Sequence, residues 1–197
     1  MKLYYSPTSP YVRKVVACAI IRGLDGRIEK HTTNPLVSPD DLIADNPLSK
    51  VPCLITDDGL SLFGSQLICE YLDSLGEELP LFPARGAPRW RALKLQSLGD
   101  GILDAAVPCR GEQAKPQEAA RYAQIARFKA AIGRTIDTLE ADPPPKHIDI
   151  GSITVACALG YLDFRFADDA WRIGHPKLAA WYDSFARNKG LLETAPA

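Results

Sequence analysis

The chain has 197 residues, 46% of them hydrophobic and 24% charged, a composition that excludes wholesale disorder and allows a sizeable core. Its 23 Lys and Arg against 24 Asp and Glu leave a formal net charge of −1, so no excess of positive charge drives binding to nucleic acid. No apolar run approaches the ~20 residues of a membrane span, and no apolar segment follows Lys2, so neither a transmembrane helix nor a signal peptide is expected.

In chain order, Lys2–Tyr5 reads as a short strand stopped by Ser6-Pro7, and Tyr11–Arg22 as a helix with Val12, Val15, Val16, Ala19 and Ile20 on one face. Arg27–His31 reads as a second strand and Asp40–Ala44 as one or two helical turns. Cys53–Thr56 and Ser61–Phe63 flank Asp58-Gly59, a dipeptide that favours tight hairpin turns. Ser65–Leu75 reads as a helix whose buried stripe is Leu67, Ile68, Tyr71, Leu72 and Leu75. Strand–helix–strand implies a parallel pair and the hairpin adds an antiparallel one, so a mixed sheet is expected. Gly76–Pro88 is rich in proline and glycine and reads as a linker.

Beyond the linker the periodicity is helical throughout. Trp90–Val107 forms one segment, ended or kinked at Pro108, and Gln117–Leu139 another, stopped by Pro143-Pro144-Pro145. Gly151–Leu162 is apolar nearly all round, as a central helix should be, and Lys177–Ala186 carries Leu178, Trp181, Tyr182 and Phe185 at helical spacing. Trp90 and Trp181 read as packing anchors. The expected architecture is an α/β domain over residues 1–76, a linker over 77–88 and an all-α domain over 89–197.

Three stretches carry chemistry. In Tyr5-Ser6-Pro7-Thr8-Ser9-Pro10, Ser9 stands at the N-cap and Pro10 at the first position of a helix, where unpaired backbone N–H groups favour an anion such as a thiolate. The plainer reading is that Ser9 only caps the helix. In Lys50-Val51-Pro52-Cys53, a proline at the mouth of an inner strand marks either a cis bond that frees the Val51 backbone for a ligand or an ordinary trans proline. In Gly64-Ser65-Gln66, Ser65 is expected to cap the next helix and to make a second anion site suited to a carboxylate. The five cysteines, Cys18, Cys53, Cys69, Cys109 and Cys157, are odd in number and widely spaced, and His31, His147 and His175 stand apart from them. Reduced thiols, a cytoplasmic setting and no metal are therefore expected.

The ordered set of Ser9 at a helix start, Lys50-Val51-Pro52, Ser65 at a second helix start and a linker with Leu81-Phe82-Pro83 resembles the glutathione S-transferase family, in its bacterial, serine-type form. The resemblance spans essentially the whole chain. It implies a thioredoxin-like first domain, a helical second domain, glutathione as co-substrate and no metal. It makes Ser9, or Ser6 if the loop is offset by three, the hydroxyl that stabilises the glutathione thiolate for attack on a small hydrophobic electrophile. It further implies that Val51 pairs with the cysteinyl unit, that Pro52 is the family's cis proline, that Lys50 reaches the glycine carboxylate and that Ser65 binds the γ-glutamyl end. Tyr11 and Val107 would line the second-substrate pocket, and Asp100 would reach across a homodimer.

Two departures stand out. The family usually carries Glu, Asp or Gln where this chain has Gly64, with Gln66 as the nearest substitute. The Ser/Thr-x-x-Asp capping box of the last domain is reversed, as Asp149-Ile150-Gly151-Ser152. The alternatives are a transferase-like module that binds a partner protein without catalysis, and a glutathione-dependent thiol reductase or peroxidase using an exposed Cys53. Arg13, near the mouth, reads either as a partner for a carboxylate or as an idle surface residue.

Overall fold

The computed structural model describes residues 1–116 and 118–196. The chain divides into two units. The first comprises residues 1–84 together with the described residues from Asn188 onward, and the second spans Arg85–Arg187. The last helix, expected with the all-α domain, thus groups with the sheet.

The first unit holds β1 (Lys2–Tyr5), α1 (Pro10–Ile21), β2 (Glu29–Thr32), α2 (Asp40–Asp45), β3 (Cys53–Ile55), β4 (Ser61–Phe63), α3 (Ser65–Leu75) and, from the far end of the chain, α8 (Lys189–Leu192). The sheet is mixed, in the order β2-β1-β3-β4, with β1 and β2 parallel and the other pairs antiparallel. The hairpin turns where Asp58-Gly59 predicts. Gly59 takes φ 87°, its N–H bonds to the Thr56 carbonyl at 3.1 Å, and Leu60 N–H bonds to Thr56 Oγ1 at 2.8 Å.

Register has one consequence that matters for the site. Tyr4 stands opposite Cys53, and Cys53 opposite Phe63. The end of β1, the start of β3 and the end of β4 therefore form one row across the sheet, with about 4.8 Å between neighbouring strands. The loops that leave this row are 6–9, 46–52 and 64–65, the three stretches picked out for their chemistry.

Helix α1 is buried on most faces, from Val12 to Ala19, because it packs on α3 and α8 as well as on the sheet side. In α3 the buried set is Ser65, Ile68, Cys69 and Leu72, while Leu67, expected inside, is 51% exposed. The inward stripe runs one position later than hydrophobicity suggests, and Cys69 takes the place assigned to Leu67. The linker is partly core. Leu81 and Phe82 are buried, and their backbone N–H groups donate to the two carboxylate oxygens of Asp73 at 2.7 and 3.1 Å. The same carboxylate pairs with buried Arg22 Nε at 3.1 Å, and Arg22 also donates to the Asp73 and Gly76 carbonyls. A side chain at residue 76 would collide with that guanidinium, so glycine is required there by a close approach.

The second unit consists of α4 (Gly86–Gln113), α5 (Ala119–Ala141), α6 (Ile150–Arg165) and α7 (Pro176–Phe185). Gln117, expected to open α5, lies outside the described residues. Helix α6 is buried along Ile150–Leu162 and lies against α4 so closely that a Cβ on Gly99 would fall 2.8 Å from the Thr154 backbone. Its start is the reversed capping box. Ser152 N–H donates to Asp149 Oδ1 at 2.7 Å, and Asp149 N–H donates to Ser152 Oγ at 2.9 Å. Pro108 does not end α4. The helix runs on to Gln113, because Ala105, Ala106 and Cys109 keep a buried stripe on both sides of the proline. Trp181 is an anchor, stacked on Phe185 with its Nε1 donating to the Pro145 carbonyl, whereas Trp90 is 69% exposed and anchors nothing.

Candidate functional site

The first component is the start of α1. Ser9 is its N-cap, in extended backbone at φ −81°, ψ 120°, and Pro10 follows in the first turn. Ser9 Oγ accepts from Val12 N–H at 3.3 Å, which leaves the hydroxyl proton free to donate outward. The hydroxyl sits at the positive end of a 12-residue helix, where negative charge is favoured. Ser6 stands upstream in the same loop, its carbonyl accepting from Ser9 N–H at 3.1 Å. The Tyr4 phenol on the adjoining strand is committed elsewhere. Its single O–H proton lies between Asp45 Oδ2 at 2.7 Å and the Asp41 carbonyl at 3.0 Å, and burial together with Asp45 raises its pKa against the opposing pull of Lys2.

The second component is the approach to β3. The Val51–Pro52 bond is cis. Among the described residues, neither the N–H nor the C=O of Val51 is hydrogen-bonded, while its side chain packs on the Tyr4, Leu42 and Cys53 cluster. Lys50 is exposed, and no carboxylate among the described residues pairs with it. The loop before it is organised by Asn46, a fully buried residue that the sequence reading passed over. Asn46 N–H closes α2 on the Leu42 carbonyl at 2.7 Å, its Oδ1 accepts from Leu48 N–H at 3.0 Å, its carbonyl accepts from Ser49 N–H at 2.9 Å, and its Nδ2 donates to the Lys50 carbonyl at 2.8 Å. The signal for it was the Asn-Pro pair, since Asn favours side-chain-to-backbone turns ahead of an extended segment.

The third component is the start of α3. Gly64, not Ser65, is the N-cap, and Ser65 is the first helical residue. Gly64 takes φ 88°, in the left-handed region that glycine adopts without strain, with open space where a side chain would stand. Ser65 is buried at 7% exposure, and its hydroxyl has no hydrogen-bond partner among the described residues. Gln66 is exposed on the outer face of the first turn.

The remaining candidates are dispersed. Tyr11 is half-buried in the first turn of α1. On α4, Val107 is half-buried and Asp100 is buried at 6% exposure. Arg13 is not a surface residue. It is 9% exposed and donates to the Leu191 carbonyl of α8 at 3.2 Å. Cys53 is fully buried, and burial and the nearby Asp45 push its thiol up to about 11. All five cysteines are buried. Among the described residues, no cluster of His, Cys, Asp or Glu has the makings of a metal site, and no helix is long and apolar enough to cross a membrane.

Two helix starts and the loop before β3 thus adjoin one row of the sheet. Residues 8–75 match the glutathione S-transferase N-terminal domain family, and residues 122–184 match the C-terminal domain family. The chain is 31% identical over its full length to the uncharacterized GST-like protein YibF of Escherichia coli (strain K12), covering 98% of that protein. A glutathione transferase family member from Pseudomonas fluorescens Pf-5, solved with bound glutathione, is 39% identical, with a TM-score of 0.93 over 100% of this chain and 98% of that one. A glutathione S-transferase from Methylobacillus flagellatus KT, solved with glutathione bound, is 30% identical, with a TM-score of 0.87 over 100% and 99% of the two chains. This chain belongs to the glutathione S-transferase family.

Proposed function

We propose that the chain is a serine-type glutathione transferase that activates the glutathione thiol for attack on a small hydrophobic electrophile. The observation that carries the reading is Ser9, whose oxygen is held by Val12 N–H while its proton is free to donate at the N-terminus of α1. In this reading the Ser9 hydroxyl donates to the sulfur and lowers its pKa, the thiol proton leaves to solvent, and the thiolate forms a carbon–sulfur bond as the electrophile's leaving group departs. Val51 pairs its free backbone with the cysteinyl unit, Ser65 and the α3 N-terminus hold the γ-glutamyl carboxylate, and Lys50 draws the glycine carboxylate. Tyr11 borders the electrophile, and Asp100 serves a partner copy in a homodimer working in the cytoplasm in detoxification.

Glutathione bound in two similar proteins supports the choice of ligand. The burial of Cys53 weighs against the thiol reductase alternative, because a thiol held near 11 supplies almost no thiolate at neutral pH. The test is conjugation of glutathione to a chromogenic aromatic halide by the wild type beside Ser9→Ala and Ser6→Ala. The reading expects loss of activity of roughly ten- to a hundredfold in Ser9→Ala alone. Equal activity in Ser9→Ala and wild type would remove Ser9 from the reaction.

A further inference from the structure

We propose that Asn46 is a positioning residue that aims the Val51 N–H at the peptide ligand. The inference rests on the glutathione reading above and adds to it a residue that touches no substrate. Four polar groups of Asn46 are engaged, and together they close a tight turn from the end of α2 to Lys50. The decisive bond is Nδ2 to the Lys50 carbonyl, because that carbonyl belongs to the same peptide unit as the Val51 N–H. The Lys50–Val51 bond is trans, the cis bond being the one that follows it. In a trans peptide the C=O and N–H point in opposite directions. Asn46 is fully buried, so a carbonyl turned toward it faces inward and the Val51 N–H is turned away from the interior. There it has no partner within the described chain, although the Val51 side chain is held on Tyr4, Leu42 and Cys53. A donor fixed at both ends and left unpaired is pre-organised for an acceptor on a ligand. The fitting acceptor is a carbonyl of an extended peptide, such as the cysteinyl carbonyl of glutathione, entering as a short additional strand.

Asn46→Asp separates this role from the turn itself. The carboxylate still accepts from Leu48 N–H, but it opposes the Lys50 carbonyl instead of donating to it. The peptide unit is then free to rotate and the Val51 N–H is no longer aimed.

The experiment titrates glutathione into 15N-labelled wild type and follows the amides of Ser9, Val51 and Ser65, then repeats the titration and steady-state kinetics on Asn46→Asp. The wild-type Val51 amide should move downfield on binding. In the variant that shift should be lost while Ser9 and Ser65 still respond. The KM for glutathione should rise about tenfold, the loss of one hydrogen bond, with kcat at saturating glutathione within about twofold of wild type. A stationary wild-type Val51 amide beside moving Ser9 and Ser65 amides overturns the proposal and leaves the glutathione reading standing. No movement at any of the three overturns both. If Asn46→Asp does not fold, the wild-type side-chain amide decides: the Asn46 Nδ2 protons should resist hydrogen exchange as donors held on the Lys50 carbonyl, and fast exchange overturns the positioning role; if the variant folds and keeps the wild-type KM, Asn46 has no positioning role.

Discussion

Replacing Ser9 by glycine separates catalysis from folding at one position. Ser9 has two tasks in this account: its oxygen caps α1 through Val12 N–H at 3.3 Å, and its proton stabilises the glutathione thiolate. Alanine removes both, at about 1 kcal/mol for the cap, whereas glycine at an N-cap costs only a few tenths. For a chain of this length, 1 kcal/mol is roughly 2–4 °C in Tm. A hydrogen bond to a charged group contributes about 1.5–3 kcal/mol, which corresponds to about one to two pH units in the pKa of the bound thiol. Ser9→Gly should therefore unfold within about a degree of wild type, Ser9→Ala a few degrees lower, and both should raise the bound thiol pKa by the same one to two units. The assay is the ultraviolet absorbance of the thiolate in the enzyme–glutathione complex as a function of pH, alongside a thermal melt. A thiol pKa unchanged in Ser9→Gly would refute the argument, since that variant keeps the fold and lacks only the hydroxyl.

Further outcomes follow from the same contacts. Asp73→Ala should destabilise the chain by about 3–5 kcal/mol in urea unfolding, because it strands the buried Arg22 cation and releases the Leu81 and Phe82 N–H groups; Asp73→Asn, which still accepts hydrogen bonds, should lose less. Cys53 should resist a thiol-directed reagent in the native protein at pH 7 and react on unfolding, whereas stoichiometric labelling of Cys53 in the native state would revive the reductase reading. His175 contacts a carbonyl through Nδ1 at 2.6 Å and Asp137 through Nε2 at 3.0 Å, both acceptors, an arrangement that favours the imidazolium. Burial pulls its pKa down, but Asp137 and the Trp171 carbonyl outweigh burial and leave it above the ordinary 6.5. The stabilisation is complete below 6.5 and is lost as pH rises through the raised value. With Asp137 71% exposed the effect should stay under ~1 kcal/mol, and His175→Gln should flatten that part of the stability–pH curve.

Much of this was readable from residue order, and the exceptions have physical causes. The Asp58-Gly59 hairpin, the Ser9-Pro10 helix start and the Asp149/Ser152 box follow from local chemistry, so each stands where its residues say. Leu67 and Trp90 were misread because hydrophobicity alone does not say which side of a helix finds a partner; Leu67 lies one position off the α3 stripe and Trp90 in the exposed first turns of α4. Pro108 was expected to end or kink its helix, but apolar packing on both sides carries α4 through it. Arg13 is buried because α8, from the far end of the chain, lies on α1, a pairing that no local pattern announces. At the site, the row joining Tyr4, Cys53 and Phe63 depends on strand register, and the Asn46-Pro47 pair announces a turn but not that Asn46 reaches the Lys50 carbonyl.

Calorimetric titration of glutathione into the purified wild-type protein tests the central claim most directly. Saturable binding with one glutathione per chain is expected, weakened when Ser65 is replaced by alanine. No detectable heat and no saturation at millimolar glutathione would contradict it, and would turn attention to a partner protein in place of a small peptide.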